Sequence, residues 1–220
     1  MNDKIKQTVL DSAVKARQYE FCNSVPIRPN PLKLSKWMAE EISEVTSCIE
    51  NIESKNGLTC VCKKGCSACC NQIIVVTSTE CLSVKPLIEN LSAEQKGRLK
   101  QRVLEQCRLL QMNGFSNKEV TQTCSLEKEK EIQRRYFSLN LPCVFLSDEN
   151  SCQIYSNRPT SCWAYRFYGD QNDCVISAFP DGSIIFTDWE RRVSDRMMNA
   201  RKPKVGLYIL PFGIKEVMEW

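Results

Sequence analysis

Fourteen cysteines are the residues of this chain whose type and spacing can do chemistry. Five of them fall between residues 60 and 70, four fall between 143 and 174, and the other five are solitary. Thiolates bind zinc and iron–sulfur clusters, and a metal can join thiolates that are distant in sequence. The chain has no histidine, which excludes a Ser-His-Asp triad, a Cys-His nucleophile pair and any site that uses imidazole. A bound metal must therefore be held by thiolate or oxygen.

The first cysteine-rich block spans residues 57–72 and contains Cys60, Cys62, Cys66, Cys69 and Cys70. If a helical turn begins at Cys66, the thiols of Cys66, Cys69 and Cys70 share one face. If the chain is extended instead, the adjacent Cys69 and Cys70 point to opposite sides, and each can serve a different metal. The spacing Cys62-x3-Cys66-x2-Cys69 also matches the motif of radical S-adenosylmethionine enzymes. The succession of βα units that builds their barrel is absent from the sequence pattern.

The second block spans residues 140–178 and contains Cys143, Cys152, Cys162 and Cys174. A turn is predicted at residues 147–150, between the first two of these cysteines. Four thiolates on such loops can complete a tetrahedral site or join the first block. Arg158 and Arg166 are predicted to donate to thiolate sulfurs, or else to pair with Asp148 or Glu149.

The elements that must position these blocks are predicted to be helical over residues 1–56 and 77–138. Apolar residues recur at helical spacing over 35–55. Capping boxes at 77–80 and 92–95 predict two helix starts, and a charged helix is predicted at 125–138. We expect a β-hairpin at 174–187 with its turn at 180–182, a helix at 188–200 and a short strand at 206–210. The predicted fold is mostly α with a small β-hairpin element, an α+β arrangement of helices around a cysteine-rich metal-binding core. A single domain is expected over residues 1–220.

Charge and hydropathy restrict the compartment and the binding partners that are expected for this chain. The longest apolar runs are far too short to cross a bilayer, and no secretory signal opens the chain, so a cytoplasmic protein without membrane contact is predicted. Cytosolic thiols stay reduced, which favours metal binding over disulfides. The net charge of +4 is evenly mixed, so nucleic-acid binding is disfavoured and a zinc-based interaction module ranks last. No sequence feature identifies a protein partner.

The two blocks together resemble the YkgJ-type cysteine-cluster family (CxxCxxCC), described as a zinc- or iron-chelating domain. The resemblance lies in CKKGCSACC at 62–70, CVFL at 143–146, CQIY at 152–155, RPTSC at 158–162 and the later Cys174. It implies eight metal ligands: Cys62, Cys66, Cys69, Cys70, Cys143, Cys152, Cys162 and Cys174. The partner implied is a metal ion, either zinc or iron, and a [4Fe–4S] cluster is one form the iron can take.

The resemblance leaves the number of sites and the activity open. Eight thiolates make two four-cysteine sites, or one four-thiolate cluster with four cysteines to spare. A non-catalytic metalloprotein is the favoured function. The alternative is an iron–sulfur-dependent transferase, because a flagellin lysine N-methylase is similar in its cysteine pattern.

The remaining six cysteines have a simpler interpretation. Cys60 is a possible extra ligand because it lies beside the first block. Cys48 and Cys107 lie on apolar helix faces and are predicted to be core residues. The last three, Cys22, Cys81 and Cys124, follow no pattern.

Overall fold

A computed structural model describes residues 2–117, 125–200 and 206–220. Helices dominate the fold, and two small antiparallel sheets of two strands each accompany them. The helices are α1 (Asp3–Gln18), α2 (Pro31–Lys55), α3 (Ser78–Glu89), α4 (Ala93–Met112), α5 (Leu126–Ser138), α6 (Thr160–Ala164), α7 (Asp173–Ile176), α8 (Thr187–Ala200) and α9 (Leu210–Val217). The strands are β1 (Val75–Thr77), β2 (Tyr165–Phe167), β3 (Ser183–Ile185) and β4 (Leu207–Ile209). The predicted fold class, mostly α with small β elements, is confirmed.

The long helices begin where local capping signals place them. At the start of α3 the Thr77 side chain accepts from the Glu80 amide, and the Glu80 carboxylate accepts from the Thr77 amide. Ser92 and Gln95 form the same capping box at the start of α4. Each box satisfies amide groups that have no partner within the helix. Both predicted helix starts are therefore confirmed. Helix α2 begins four residues before the predicted start, because Asn30 supplies its cap.

Apolar side chains of these helices form three clusters. In the first, α2 packs against α6 and α8, and Met38, Trp163 and Trp189 are fully buried. In the second, α3, α4 and α9 surround Val144 and Phe145, which belong to the second cysteine-rich block. Burying a side chain of the size of Phe145 stabilises the fold by about 1.5–3 kcal/mol. The second block is therefore part of the hydrophobic core. The third cluster joins α4 to α5.

The two sheets connect segments that are distant in sequence. Strand β1 pairs antiparallel with β4, in the register Val75 to Ile209. Strand β2 pairs antiparallel with β3, in the register Tyr165 to Ile185. In the part of the chain that the structure describes, no helix has the length and apolar character needed to cross a membrane.

The predicted hairpin at 174–187 is wrong in its first strand. Its turn is present, because the Ser183 amide donates to the Pro180 carbonyl and Gly182 adopts a φ of +92°. Residues 173–176 form the short helix α7, so the amides of Cys174 and Val175 are used in local turns. Strand β3 therefore pairs with β2. The predicted helical segment 77–138 includes residues 118–124, and these, with Cys124, lie outside the described residues.

Candidate metal centre

The first block is built from two successive turns. The Cys66 amide donates to the Lys63 carbonyl at 2.9 Å, and the Cys70 amide donates to the Ser67 carbonyl at 2.9 Å. Gly65 lies at a φ of +91°, which favours glycine because it has no Cβ. Residues 60–72 contain no helix. A helical turn beginning at Cys66 is therefore wrong, and the geometry that would place Cys69 and Cys70 on one helix face is absent.

The first block lies against the end of the second. The Val61 amide donates to the Phe167 carbonyl at 3.1 Å, which attaches the block to β2. The Gln171 side-chain amide lies 3.5 Å from the Cys66 sulfur. Cys174, at the start of α7, is buried to 4% exposure. These contacts place Cys174 beside the first block.

The second block meets the first at Cys70 and Cys143. The Cys143 amide donates to the Cys70 carbonyl at 2.6 Å. The predicted turn at 147–150 is present, because the Asn150 amide donates to the Ser147 carbonyl at 3.0 Å. A β-bridge between Leu146 and Cys152 closes the loop. Cys143 and Cys152 therefore lie on the two sides of one closed loop.

Helix α4 supports this loop through two long side chains. The Arg102 guanidinium donates to the carbonyls of Val144, at 3.2 Å, and Leu146. The Gln106 side-chain amide donates to the Pro142 carbonyl at 2.6 Å. Both side chains satisfy loop carbonyls that strand pairing does not use. The backbone that carries Cys143 is therefore held to a regular helix.

Glu80 connects the segment of Cys162 to the start of α3. Its Oε1 accepts from the Thr160 amide at 2.8 Å and from the Thr160 hydroxyl at 2.6 Å. Its Oε2 accepts from the Thr77 amide at 2.6 Å and from the Thr77 hydroxyl at 3.0 Å. The residue is 5% exposed, so these bonds replace water around a buried carboxylate. Thr160 opens the short helix α6, which carries Cys162.

Four thiols from the two blocks form what we term the second thiol group: Cys70, Cys143, Cys152 and Cys162. Burial, followed by the neighbouring charges of Cys143 and Cys152, raises the pKa of Cys70 to about 12. Burial, followed by the charges of Cys152 and Cys69, raises the pKa of Cys143 to about 12. The pKa of Cys162 is raised well above its ordinary value by burial and then by the charges of Cys143, Cys69, Cys152 and Cys70. These four thiols therefore lie close enough to repel one another as thiolates.

The other four predicted ligands form what we term the first thiol group: Cys62, Cys66, Cys69 and Cys174. Burial, followed by Cys70, Cys66 and Cys174, raises the pKa of Cys69 to about 12. Burial and then Cys66 raise the pKa of Cys174. A hydrogen bond with Cys60, then burial, raises the pKa of Cys62, and Cys69 adds to the shift. We assign the adjacent Cys69 and Cys70 to different groups, and the two groups adjoin at this pair, because Cys69 also acts on Cys143 and Cys162.

The structure brings the eight predicted ligands into one region, but not into the close spacing of a metal site. Within residues 2–117, 125–200 and 206–220, no three Cys, Asp or Glu side chains are arranged closely enough to hold a metal ion. Every described thiol is free of disulfide bonds. The donor set nevertheless fits a thiolate-binding metal, because it offers only sulfur and the chain has no histidine.

Two arginines compensate charge near the thiols. Arg158 lies over the Tyr155 ring at 4.4 Å, and its charge opposes the rise in the pKa of Cys152 caused by burial. Arg166 pairs with Glu50 and Glu53 of α2. The predicted pairing of these arginines with Asp148 or Glu149 is wrong within the described residues. Asp148 instead pairs with Arg102, at 3.8 Å between Nη2 of the arginine and Oδ1 of the aspartate.

The cysteines outside the two groups are placed mainly as core or surface residues. Cys107 and Cys81 are buried in the second apolar cluster, and Cys48 packs partly buried against the first. Cys22 is exposed. Cys60 borders the first thiol group, since it hydrogen-bonds with Cys62.

The sequence reasoning missed three side chains that support the centre. Arg102 and Gln106 carry no motif, because their loop partners lie far along the chain. Glu80 is visible in sequence only as a capping residue. Its second oxygen bonds to a residue 80 positions away, and no local signal reports that contact.

These features define a cysteine-cluster protein with two adjoining thiol groups assembled from two separated blocks. A family model described as CxxCxxCC, "Putative zinc- or iron-chelating domain", matches residues 61–181. The match covers more than half of the chain and includes all eight predicted ligands, and the chain belongs to this family. Among curated proteins and among solved structures, no match was found.

Proposed function

We propose that this protein binds zinc or iron non-catalytically through eight cysteine thiolates, arranged as two four-thiolate sites. The first site uses Cys62, Cys66, Cys69 and Cys174, and the second uses Cys70, Cys143, Cys152 and Cys162. The observation that carries this proposal is the convergence of thiols from both blocks, with Cys69 near Cys66 and Cys174 and with Cys70 near Cys143 and Cys152. Four thiolates satisfy one tetrahedral zinc ion or one [4Fe–4S] cluster.

The electrostatics of the groups support a cation as their natural occupant. Burial and the neighbouring thiolates both raise the pKa values of Cys69 and Cys70, so these two thiols keep their protons near neutral pH when no metal is bound. A bound cation replaces those protons and cancels the repulsion between sulfurs. Four thiolates around one divalent ion leave a net charge of −2, which the nearby guanidinium of Arg158 partly offsets.

The cellular compartment that we propose follows from the chemistry of the free thiols. Free thiols persist in a reducing compartment, so we place the protein in the cytoplasm. Because each site draws ligands from both blocks, and the second block rests on α2, α3 and α4, we treat residues 1–220 as one domain.

The test is metal analysis of protein purified without oxygen. We expect two zinc ions per chain, or iron with sulfide and a brown optical spectrum. Cys69→Ser and Cys70→Ser should each lose about half of the metal, because each removes one ligand from a different site. Cys22→Ser changes an exposed thiol outside both groups and should lose none.

Three results would contradict the proposal. A folded protein without metal would remove the function itself. Loss of all metal from either single variant would indicate one shared cluster instead of two sites. Equal loss in Cys22→Ser would mean that the metal is not held by the assigned thiols. The spectrum also separates the metals, since zinc thiolate sites are colourless in visible light.

A further inference from the structure

Cys60 lies at the edge of the first thiol group and outside the family match, which begins at residue 61. The Cys62 amide donates to the Cys60 sulfur at 3.4 Å, and the two thiols share a hydrogen bond. Cys60 is also among the thiols that act electrostatically on Cys174. Cys60 is therefore a further thiol beside the four of the first group.

A buried arginine faces this fifth thiol. Arg166 is 3% exposed, and its guanidinium lies beside Cys60. Its ion pairs are long, at 3.7 Å to Glu53 and 3.7 Å to Glu50. The Glu53 carboxylate is already used by the Tyr168 hydroxyl at 2.7 Å.

The guanidinium consequently has donors to spare. Its Nε faces Glu53 and its Nη2 faces Glu50, both at 3.7 Å and beyond hydrogen-bond distance, and Cys60 is the thiol with which the guanidinium interacts. A buried guanidinium requires acceptors for its donors, because unsatisfied polar groups are costly in the interior. A thiolate at Cys60 supplies both an acceptor and a negative charge.

We propose that Cys60 is a ninth metal-binding thiol, which exchanges with Cys62 as the fourth ligand beside Cys66, Cys69 and Cys174. Arg166 provides the counter-charge for Cys60. In the exchange, the bond from metal to Cys62 sulfur breaks and a bond to Cys60 sulfur forms. The proton of the incoming Cys60 thiol passes to Cys62 through their hydrogen bond, and no electron is transferred. The inference rests on the proposed function, because it concerns the same first site.

The exchange follows from the geometry of the pair. A tetrahedral metal accepts four thiolates, so five thiols cannot bind it at once. Cys60 and Cys62 are two residues apart and already in contact, so one can replace the other while the remaining three ligands stay in place. Such a site can release one bond to metal without releasing the metal.

Zinc stoichiometry of serine variants tests the proposal. We expect Cys60→Ser and Cys62→Ser each to keep two zinc ions per chain, and the double variant Cys60→Ser/Cys62→Ser to keep one. A matched double variant, Cys22→Ser/Cys48→Ser, removes two thiols outside both groups and should keep two. Helix content measured by circular dichroism checks that each variant is folded.

Each other outcome overturns the inference. If Cys62→Ser alone loses the same zinc as the double variant, Cys60 is not a ligand. If Cys60→Ser alone loses zinc, Cys60 is a permanent ligand and does not exchange. If the double variant keeps both ions, neither thiol binds. These results differ from failure of the proposed function, in which the unaltered protein binds neither zinc nor iron.

The role of Arg166 is tested in the two single-variant backgrounds. In Cys62→Ser the zinc is held through Cys60, so Arg166→Gln should weaken zinc binding about 10- to 100-fold. In Cys60→Ser the same change should have little effect, and Arg166→Lys should retain part of the affinity. Equal weakening in both backgrounds would mean that Arg166 acts only on the fold.

Discussion

The two thiol groups are similar in composition but differ in what holds their backbone. The second group is supported by regular helices, through the side chains of Glu80, Arg102 and Gln106. Asn157, which precedes Cys162, also donates to the Ser35 carbonyl of α2 at 2.8 Å. The first group is carried by two turns and by contacts between loops. The second group is thus supported by the core, whereas the first group depends on contacts between loops and, under the proposed function, on its metal.

This difference indicates which interactions stabilise each thiol group. Buried hydrogen bonds to a carboxylate contribute about 1.5–3 kcal/mol each, and they act whether or not metal is present. Turns in a loop contribute little by themselves, since conformational entropy opposes their order. Under the proposed function, metal binding therefore supplies most of the order in the first group and less of the order in the second.

Removing the metal should have the largest effect on local order. This effect should differ between the two thiol groups. Structural zinc contributes an apparent 10–16 kcal/mol, roughly, in small zinc proteins. After chelation we expect amides of residues 60–72 and 165–182 to exchange rapidly with deuterium. Amides of residues 143–164 should keep more of their protection. Hydrogen exchange read by mass spectrometry measures both ranges in one sample, and equal loss in both would contradict the comparison.

Replacing Glu80 should have the next largest effect. Glu80→Ala leaves the Thr160 and Thr77 donors buried without their acceptor, which should lower the free energy of unfolding by about 3–5 kcal/mol. Urea unfolding of the metal-loaded protein measures this change. The exposed Glu89 of the same helix gives a matched control, and Glu89→Ala should change stability by less than about 0.5 kcal/mol. If the two variants lose similar stability, Glu80 does not support the second group.

Alkaline pH should destabilise the metal-free protein. The folded-state pKa values of Cys69, Cys70 and Cys143 are raised from 9.0 to about 12. Stability from these neutral thiols is complete below pH 9 and is lost as the pH rises towards 12. Each thiol contributes a slope of about 1.4 kcal/mol per pH unit. The zinc-loaded protein should lack this loss, because its thiols are already deprotonated. Urea unfolding at several pH values compares the two forms.

Two glycine substitutions should have the smallest effects on stability. The two effects should be opposite in sign. Gly65→Ala places a Cβ at a φ of +91° in the turn before Cys66, so it should destabilise the protein by about 1 kcal/mol and weaken metal binding. Gly97→Ala lies within α4, where nothing lies within 4 Å of the new Cβ. It should stabilise the protein by about 0.5–1 kcal/mol. Thermal unfolding and zinc competition measure both, and destabilisation by Gly97→Ala would contradict the distinction between turn and scaffold.

Much of the scaffold is predictable because its signals are local. Thr77 with Glu80, and Ser92 with Gln95, are three residues apart, so the sequence shows each capping box directly. The apolar spacing of α2 is equally local. The turn at 180–182 is visible for the same reason, since glycine and proline set it without help from other segments.

The pairing of strands and the division of the thiols depend on distant contacts and are not visible in sequence. Strand β3 could pair with residues 174–179 by proximity, but the backbone there is used by α7. The spacing of Cys66, Cys69 and Cys70 fits a helix face, yet Gly65 and two turns produce another geometry. The order of the cysteines therefore indicates metal binding, and only the fold indicates which thiols are neighbours.

The contact between Gly206 and Ser78 has a consequence for biosynthesis. The Ser78 amide donates to the Gly206 carbonyl at 2.9 Å, and the Gly206 amide donates to the Ser78 hydroxyl 128 positions away. All fourteen cysteines precede residue 175, so a ribosome completes every thiol a few seconds before it reaches residue 206. The strand pair of β1 and β4, which this contact adjoins, therefore forms only after every cysteine has been synthesised.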